Sequence, residues 1–142
     1  IPAIKEPAGL LRTDRKRPDG LTQIPWQGGK CLLWDVTVTD TTVAYYIDAT
    51  AVNAGAAAEG AASRKEEKYR PLMDSHIFIP IAVETFGPIN HKAISFLTEL
   101  GNRLSASSSD DRESTFLFQR LSILIQRFNS ISFHGSFEQS CE

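Results

Sequence analysis

The segment 27–39 constrains this chain more than any other: a Gln27-Gly28-Gly29-Lys30 turn signal runs into Cys31-Leu32-Leu33-Trp34-Asp35-Val36-Thr37-Val38-Thr39. An apolar, β-branched run bounded by glycines reads as a largely buried strand, here 30–39, and the paired glycines read as the tip of a β-hairpin. Side chains alternate along a strand, so Trp34, Val36 and Val38 share one face while Asp35, Thr37 and Thr39 share the other. Asp35 is the anomaly. An ionised carboxylate in an apolar strand costs several kcal/mol unless a partner or a metal compensates it. Any fold for this chain must therefore bring compensating chemistry to Asp35.

The 142 residues make one domain, and a domain of that length buries roughly two thirds of its unfolded surface, so a real core needs no staples. With 42% hydrophobic and 23% charged residues the composition is that of an ordinary globular protein, which excludes dominant disorder. A formal net charge of -2 points to neither a nucleic-acid nor a membrane partner. Its distribution is uneven, however: within 1–30, Lys5, Arg12, Arg15, Lys16, Arg17 and Lys30 stand against Glu6, Asp14 and Asp19. Cys31 and Cys141 are the only cysteines, which fits a reducing, intracellular setting and supplies neither a disulfide framework nor a cysteine zinc site. No run of about 18 apolar residues occurs, so no membrane association is expected. The sequence opens on Ile1 without a visible signal peptide and reads as a fragment of a longer product.

Short strands are expected at 9–12 and 20–26, ahead of the hairpin arm 30–39. Asp40-Thr41-Thr42 offers capping side chains for a helix from about 42 through the alanine-rich 54–62 to Tyr69, with Gly55 and Gly60 as candidate breaks. Pro71 stops it. Residues 76–86 read as a second buried strand in which Pro80 marks an edge position or a bulge. Ala93, Ile94, Phe96, Leu97, Leu100 and Leu104 recur at helical spacing, the serine-rich 105–109 reads as a loop, and Asp110 with Glu113 resembles a capping box before a helix with apolar positions over 116–131. Residues after Phe133 read as a frayed end. The order β-β-β-α-β-α-α gives an α/β (α+β) class: a mixed sheet core over 1–90, C-terminal helices packed on it over 91–133, and a tail at 134–142.

In the hairpin reading Asp19, in Arg17-Pro18-Asp19-Gly20, starts one arm and can lie near Asp35 on the other. Two carboxylates meeting at a sheet edge make a hard-oxygen site suited to Mg²⁺ or Mn²⁺, completed by waters and substrate phosphates. A competing reading makes Pro-Asp-Gly a plain turn and Asp35 a strand-end acid paired with Arg12 or Arg17. Glu84 is read as a strand-end acid with a third-ligand role as the alternative, and Glu6 as an acid with no helix to carry it. His76, His91 and His134 lack metal-like spacing, and Arg120 and Arg127 read as solvated.

Pro18-Asp19, fifteen intervening residues and Asp35 in a hydrophobic strand resemble the restriction-endonuclease-like superfamily, whose signature is Pro-Asp...(Asp/Glu)-x-Lys. One position departs from it, because Thr37 stands where that signature has lysine. The order Arg17-Pro18-Asp19, Trp34-Asp35-Val36-Thr37-Val38 and Lys65-Glu66-Glu67-Lys68-Tyr69 is similar to the endonuclease domain of site-specific non-LTR retrotransposon proteins, in which a Lys-x-x-Lys-Tyr helix follows the strand. The likeness covers about residues 5–90, including Pro80-Ile81-Ala82-Val83-Glu84-Thr85-Phe86-Gly87.

The resemblance implies a metal-dependent DNA endonuclease domain that nicks a target for the reverse transcriptase region of a parent polyprotein, in the nucleus. Asp19 and Asp35 would hold Mg²⁺ or Mn²⁺. Lys68, with Lys65 one turn earlier on the same side of the helix, would supply the missing lysine. Arg12, Arg15, Lys16 and Arg17 would grip DNA phosphates without reading bases. The alternative expectation is a nucleic-acid-binding or protein-interaction remnant that keeps the fold and has lost the chemistry, with a purely structural oligomerisation module as the third.

Overall fold

The computed structural model describes residues 2–7, 17–39, 55–85 and 87–140, of which 128 and 132–140 are described by backbone alone. The order of elements is β1 (Ala3–Lys5), β2 (Gly20–Thr22), β3 (Cys31–Thr39), α1 (Ala56–Tyr69), a 3-10 turn (Arg70–Leu72), β4 (His76–Glu84), α2 (His91–Ser108) and α3 (Glu113–Ser140). The sheet runs β1-β2-β3-β4, antiparallel through the first three strands and parallel between β3 and β4. The chain is thus a mixed α/β protein with a four-stranded mixed sheet and helices on both faces.

Alternation along β3 and β4 decides what each face meets. Leu33 and Phe78 pack with Tyr69 and Leu72 on one side, and further along the same side Ala82 packs with Ala58, Ala61 and Ala62 of α1. Trp34, Val36, Val38, Ile81 and Val83 point to the opposite side, where Leu97 and Leu100 of α2 and Leu121, Leu124 and Ile125 of α3 face them. The α2–α3 contact is close because Gly101 has no side chain: a Cβ there would lie 2.9 Å from the Ser114 Cα.

The hairpin turn is as expected. Gln27 and Lys30 bridge across Gly28 and Gly29, whose φ angles of 58° and 74° suit the left-handed twist of a two-residue turn. The arm that precedes it is shorter than 20–26. The Thr22 hydroxyl accepts from the Leu32 N–H at 2.9 Å and donates to the Ile24 carbonyl at 2.9 Å, which ends the ladder at Thr22. The first strand is Ala3–Lys5, and the strand expected at 9–12 lies outside the described residues, as do Asp40, Thr41 and Thr42 and the start of the expected helix.

Gly55, at φ 91°, stands at the N-cap of α1, whereas Gly60 lies inside the helix without breaking it. Its neighbours Ala58, Ala61 and Ala62 are buried against the sheet, and tertiary packing outweighs about 1 kcal/mol of glycine propensity. The serine-rich 105–109 is not a loop: α2 continues to Ser108 and stops at Ser109, where φ is 57°. Propagating an existing helix adds one hydrogen bond per residue, so a run of serines costs less there than at a helix start. Asp110 forms no reciprocal box; its carboxylate accepts from the Arg112 N–H at 3.0 Å and from the Arg112 guanidinium. The last helix extends beyond Phe133 to Ser140.

Pro80 sits on an edge strand. Pro80 and Ala82 direct their backbone groups away from β3, and Asn90 covers them: its side chain donates to the Pro80 carbonyl at 2.9 Å and accepts from the Ala82 N–H at 2.9 Å. The N–H that proline lacks would have pointed to this outer edge, so the β3–β4 ladder loses nothing.

Gly20 is a strand residue rather than the end of a turn, and a Cβ on it would lie 2.0 Å from the Trp34 ring. Gly20→Ala is expected to destabilise the fold by about 1–3 kcal/mol, the cost of overpacking. A urea midpoint equal to that of the parent chain would contradict this placement of Trp34.

Candidate functional site

The cross-strand register brings the two aspartates together. Gly20 pairs with Trp34, and one step before it Asp19 donates its N–H to the Trp34 carbonyl at 2.9 Å. The Asp19 carboxylate then accepts the Val36 N–H at 2.6 Å, so a side chain extends the ladder past the end of β2 and lies against the backbone that carries Asp35. Pro18, fully buried, precedes it.

Asp35 is 4% exposed, on the α1 face of β3. Its partner is Lys65, whose ammonium lies 2.7 Å from Oδ2. Arg17 is exposed and does not supply the counter-charge, and Arg12 lies outside the described residues. Lys65 reaches Asp35 because Ala58, Ala61 and Ala62 seat α1 close to the sheet, and because Lys65 shares their side of the helix. Lys68 lies to the flank, its ammonium 5.0 Å from the centre of the Tyr69 ring and its charge still felt by Asp35. Burial pushes the Asp35 carboxyl above its ordinary range; Lys65 pulls it back, Asp19 adds to the rise, and Lys68 opposes it.

Two further groups flanking Asp35 escaped the sequence reading. Tyr69 is fully buried, and among the described residues its hydroxyl has no hydrogen-bond partner; the Thr37 hydroxyl is likewise buried and unpartnered among them. Burial first, then the Asp35 and Asp19 charges, push the Tyr69 phenol up to about 12. The sequence signal was present: Thr37 is two residues from Asp35 on a strand, and Tyr69 is four from Lys65 on a helix, so each pair shares a face.

The remaining candidates lie elsewhere. Glu84, 3% exposed, accepts the Ala58 N–H at 3.1 Å and so caps the first turn of α1, where Gly55 has no side chain to do so. Glu6 takes part through its backbone, donating its N–H to the Asp19 carbonyl at 2.9 Å. His91 meets Glu59 at 2.5 Å, which together with a Lys92–Glu66 pair ties α2 to α1. His76 contacts Ser75, and the side chain of His134 is outside those described. Arg17, Arg120 and Arg127 are exposed, while Arg12, Arg15 and Lys16 lie outside the described residues. Among the described residues no three His, Cys, Asp or Glu side chains group as a metal cage, and no helix is long and apolar enough to cross a membrane.

Comparison with protein-family models, curated proteins and solved structures gives no match to this chain.

Removing one partner of a buried ion pair strands the other charge, so Lys65→Met is expected to cost about 2–4 kcal/mol at neutral pH, with much of the loss restored in the Asp35→Asn, Lys65→Met double variant. Equal losses in single and double variants by urea unfolding would refute the coupling. The pH dependence has a defined sign. A folded-state carboxyl raised above 3.8 binds more protons than the unfolded one, so its contribution improves as pH falls through the raised value and levels off below 3.8. The phenol obeys the same relation at the other end of the scale. The fold should lose stability between pH 10 and about 12 as the unfolded tyrosine ionises first, and Tyr69→Phe should remove that loss in alkaline unfolding curves.

Proposed function

We propose that this chain is a divalent-metal-dependent DNA endonuclease domain of restriction-endonuclease-like fold, derived from a retroelement and hydrolysing phosphodiester bonds to nick a target. The observation that carries the reading is the Lys65 ammonium 2.7 Å from a buried Asp35, with Asp19 on the adjoining strand. Two acids and a lysine lying near one another support a Pro-Asp...(Asp/Glu)-x-Lys reading. The helix supplies the lysine that position 37 lacks.

The residues suit a hard cation. Mg²⁺ is typically bound by one or two carboxylates plus waters and substrate phosphates rather than by a full protein cage, which is the donor set that Asp19 and Asp35 offer. Bound there, such an ion would lower the pKa of a coordinated water and stabilise charge on a phosphate under attack. The chain's own contribution is electrostatic. Asp35 is held in a desolvated position in which its attraction for a cation is less screened, and Asp19 is immobilised by the Val36 N–H. Lys65 sets its amino group beside the carboxylate, suited to a phosphate oxygen as negative charge builds on it. Arg17, with Arg12, Arg15 and Lys16, would hold the DNA backbone.

One observation favours the second reading, an inactive nucleic-acid-binding or protein-interaction remnant. Asp19 is engaged by a backbone N–H and Asp35 by Lys65, so both carboxylates already have internal partners. Nicking of supercoiled plasmid separates the two. The first reading expects nicking with Mg²⁺ or Mn²⁺, none in chelator, and a loss of at least about a hundredfold in Asp35→Asn and in Lys65→Ala. Metal-independent gel shifts without cleavage would select the remnant, and nicking undiminished in Asp35→Asn would exclude this site as its source.

A further inference from the structure

We infer that the Tyr69 hydroxyl is a positioning group of the Asp35 site, reserved for the water shell of a divalent cation. Tyr69 is 0% exposed, and its ring is clamped by Leu33, Leu72 and Phe78, the last at 4.9 Å between ring centres. Packing this complete leaves the hydroxyl little freedom to seek a partner elsewhere. Among the described residues it nevertheless has none, and the Thr37 hydroxyl, on the same face of the sheet as Asp35, has none either.

A buried hydroxyl without a hydrogen bond ordinarily costs about 1–3 kcal/mol, and phenylalanine would fill the same space without that cost. An unsatisfied donor in a well-packed pocket therefore calls for an explanation, and a missing water or ion is the usual one. Here the neighbouring charges identify the visitor. Tyr69 lies within the field of the Asp35 and Asp19 carboxylates, with Lys65 one helical turn earlier on the same face. Two carboxylates face the Lys65 ammonium, with Lys68 on the flank, and the waters that a small divalent ion keeps need hydrogen-bond acceptors and donors around it. Tyr69 and Thr37 carry two such groups that no hydrogen bond among the described residues uses. Outer-shell partners of this kind are typically worth ten- to a hundredfold in metal affinity.

The inference rests on the metal-site reading, and the test keeps the two apart. Mn²⁺ binding to the full chain is measured by the loss of the free-ion paramagnetic resonance signal, alongside urea unfolding without metal. Tyr69→Phe is expected to weaken Mn²⁺ binding about tenfold while its metal-free stability equals or exceeds that of the parent, a combination that a merely structural tyrosine would not produce. Thr37→Val is expected to act in the same direction. Parent-like Mn²⁺ affinity in Tyr69→Phe would overturn the role of the hydroxyl and leave the metal site standing. A metal-free stability loss in that variant would also overturn it, by showing that the hydroxyl has a structural partner. Absence of saturable Mn²⁺ binding to the parent chain would overturn both.

Discussion

The close seat of helix α1 on strands β3 and β4 is the constraint from which the rest of the structure follows. Ala58, Ala61 and Ala62 present almost no side-chain bulk to the sheet, and Ala82 answers them with none of its own. Leucines there would lift the helix and carry Lys65 away from Asp35. With alanines, the helix lies low enough for Lys65 to reach the buried Asp35 carboxylate, with Tyr69 buried one turn further along the same helix. The alanines that look like bland helix formers are therefore what makes the charged pair geometrically possible.

The same seat needs an anchor at each end. At the helix N-terminus Gly55 turns the chain at φ 91° but offers no capping group, and Glu84, the last residue of β4, supplies a carboxylate from across the interface. A negative group there meets both the unpaired N–H groups and the positive end of the helix dipole. Beyond Glu84 the chain folds back, so that Ile89 bridges Val83 and Asn90 covers the outer groups of Pro80 and Ala82. An edge strand closed by a side-chain amide presents little to a foreign strand. The Asn90 amide, nearly fully buried, thus does locally what a fifth strand would do at greater length.

How much of this was legible in the sequence depends on the range of the interaction. Strand β3, its glycine turn and the edge character of the strand bearing Pro80 were legible because each rests on local rules of alternation, φ preference and a missing donor. Strand β1 was not, since three exposed residues carry no periodicity and form a strand only because Ile4 finds Leu21. The serine run misled because composition was weighed without regard to the helix already propagating into it. Anomalous Asp35 announced a need for a counter-charge, yet that Lys65 pairs with it followed from tertiary packing. A helix turns by about 100° per residue, so the stripe through Ala58, Ala62, Lys65 and Tyr69 is a single line, while Lys68 falls to its side. Reading the alanine stripe before the lysine motif would have ranked Lys65 first.

That stripe also bears on why the pocket is built as it is. Buried ion pairs are weak sources of stability: replacing one with apolar groups of similar volume is often neutral or favourable by about 1–4 kcal/mol. Valine or leucine at Asp35 and methionine at Lys65 would serve the β3–α1 contact at least as well, and phenylalanine at Tyr69 would relieve an unpartnered hydroxyl. The chain instead places an acid, a base and two idle hydroxyls together in an otherwise apolar interface, with a second acid immobilised alongside. Local rules are thus broken at Asp35, Lys65, Tyr69 and Thr37, all on the contact between β3 and α1. Clustering of that kind is what supports the proposed ligand site over a pair that serves the fold alone. A lone buried pair would be an ordinary feature of packing, and it is the unsatisfied hydroxyls beside this one that a bound ligand would account for.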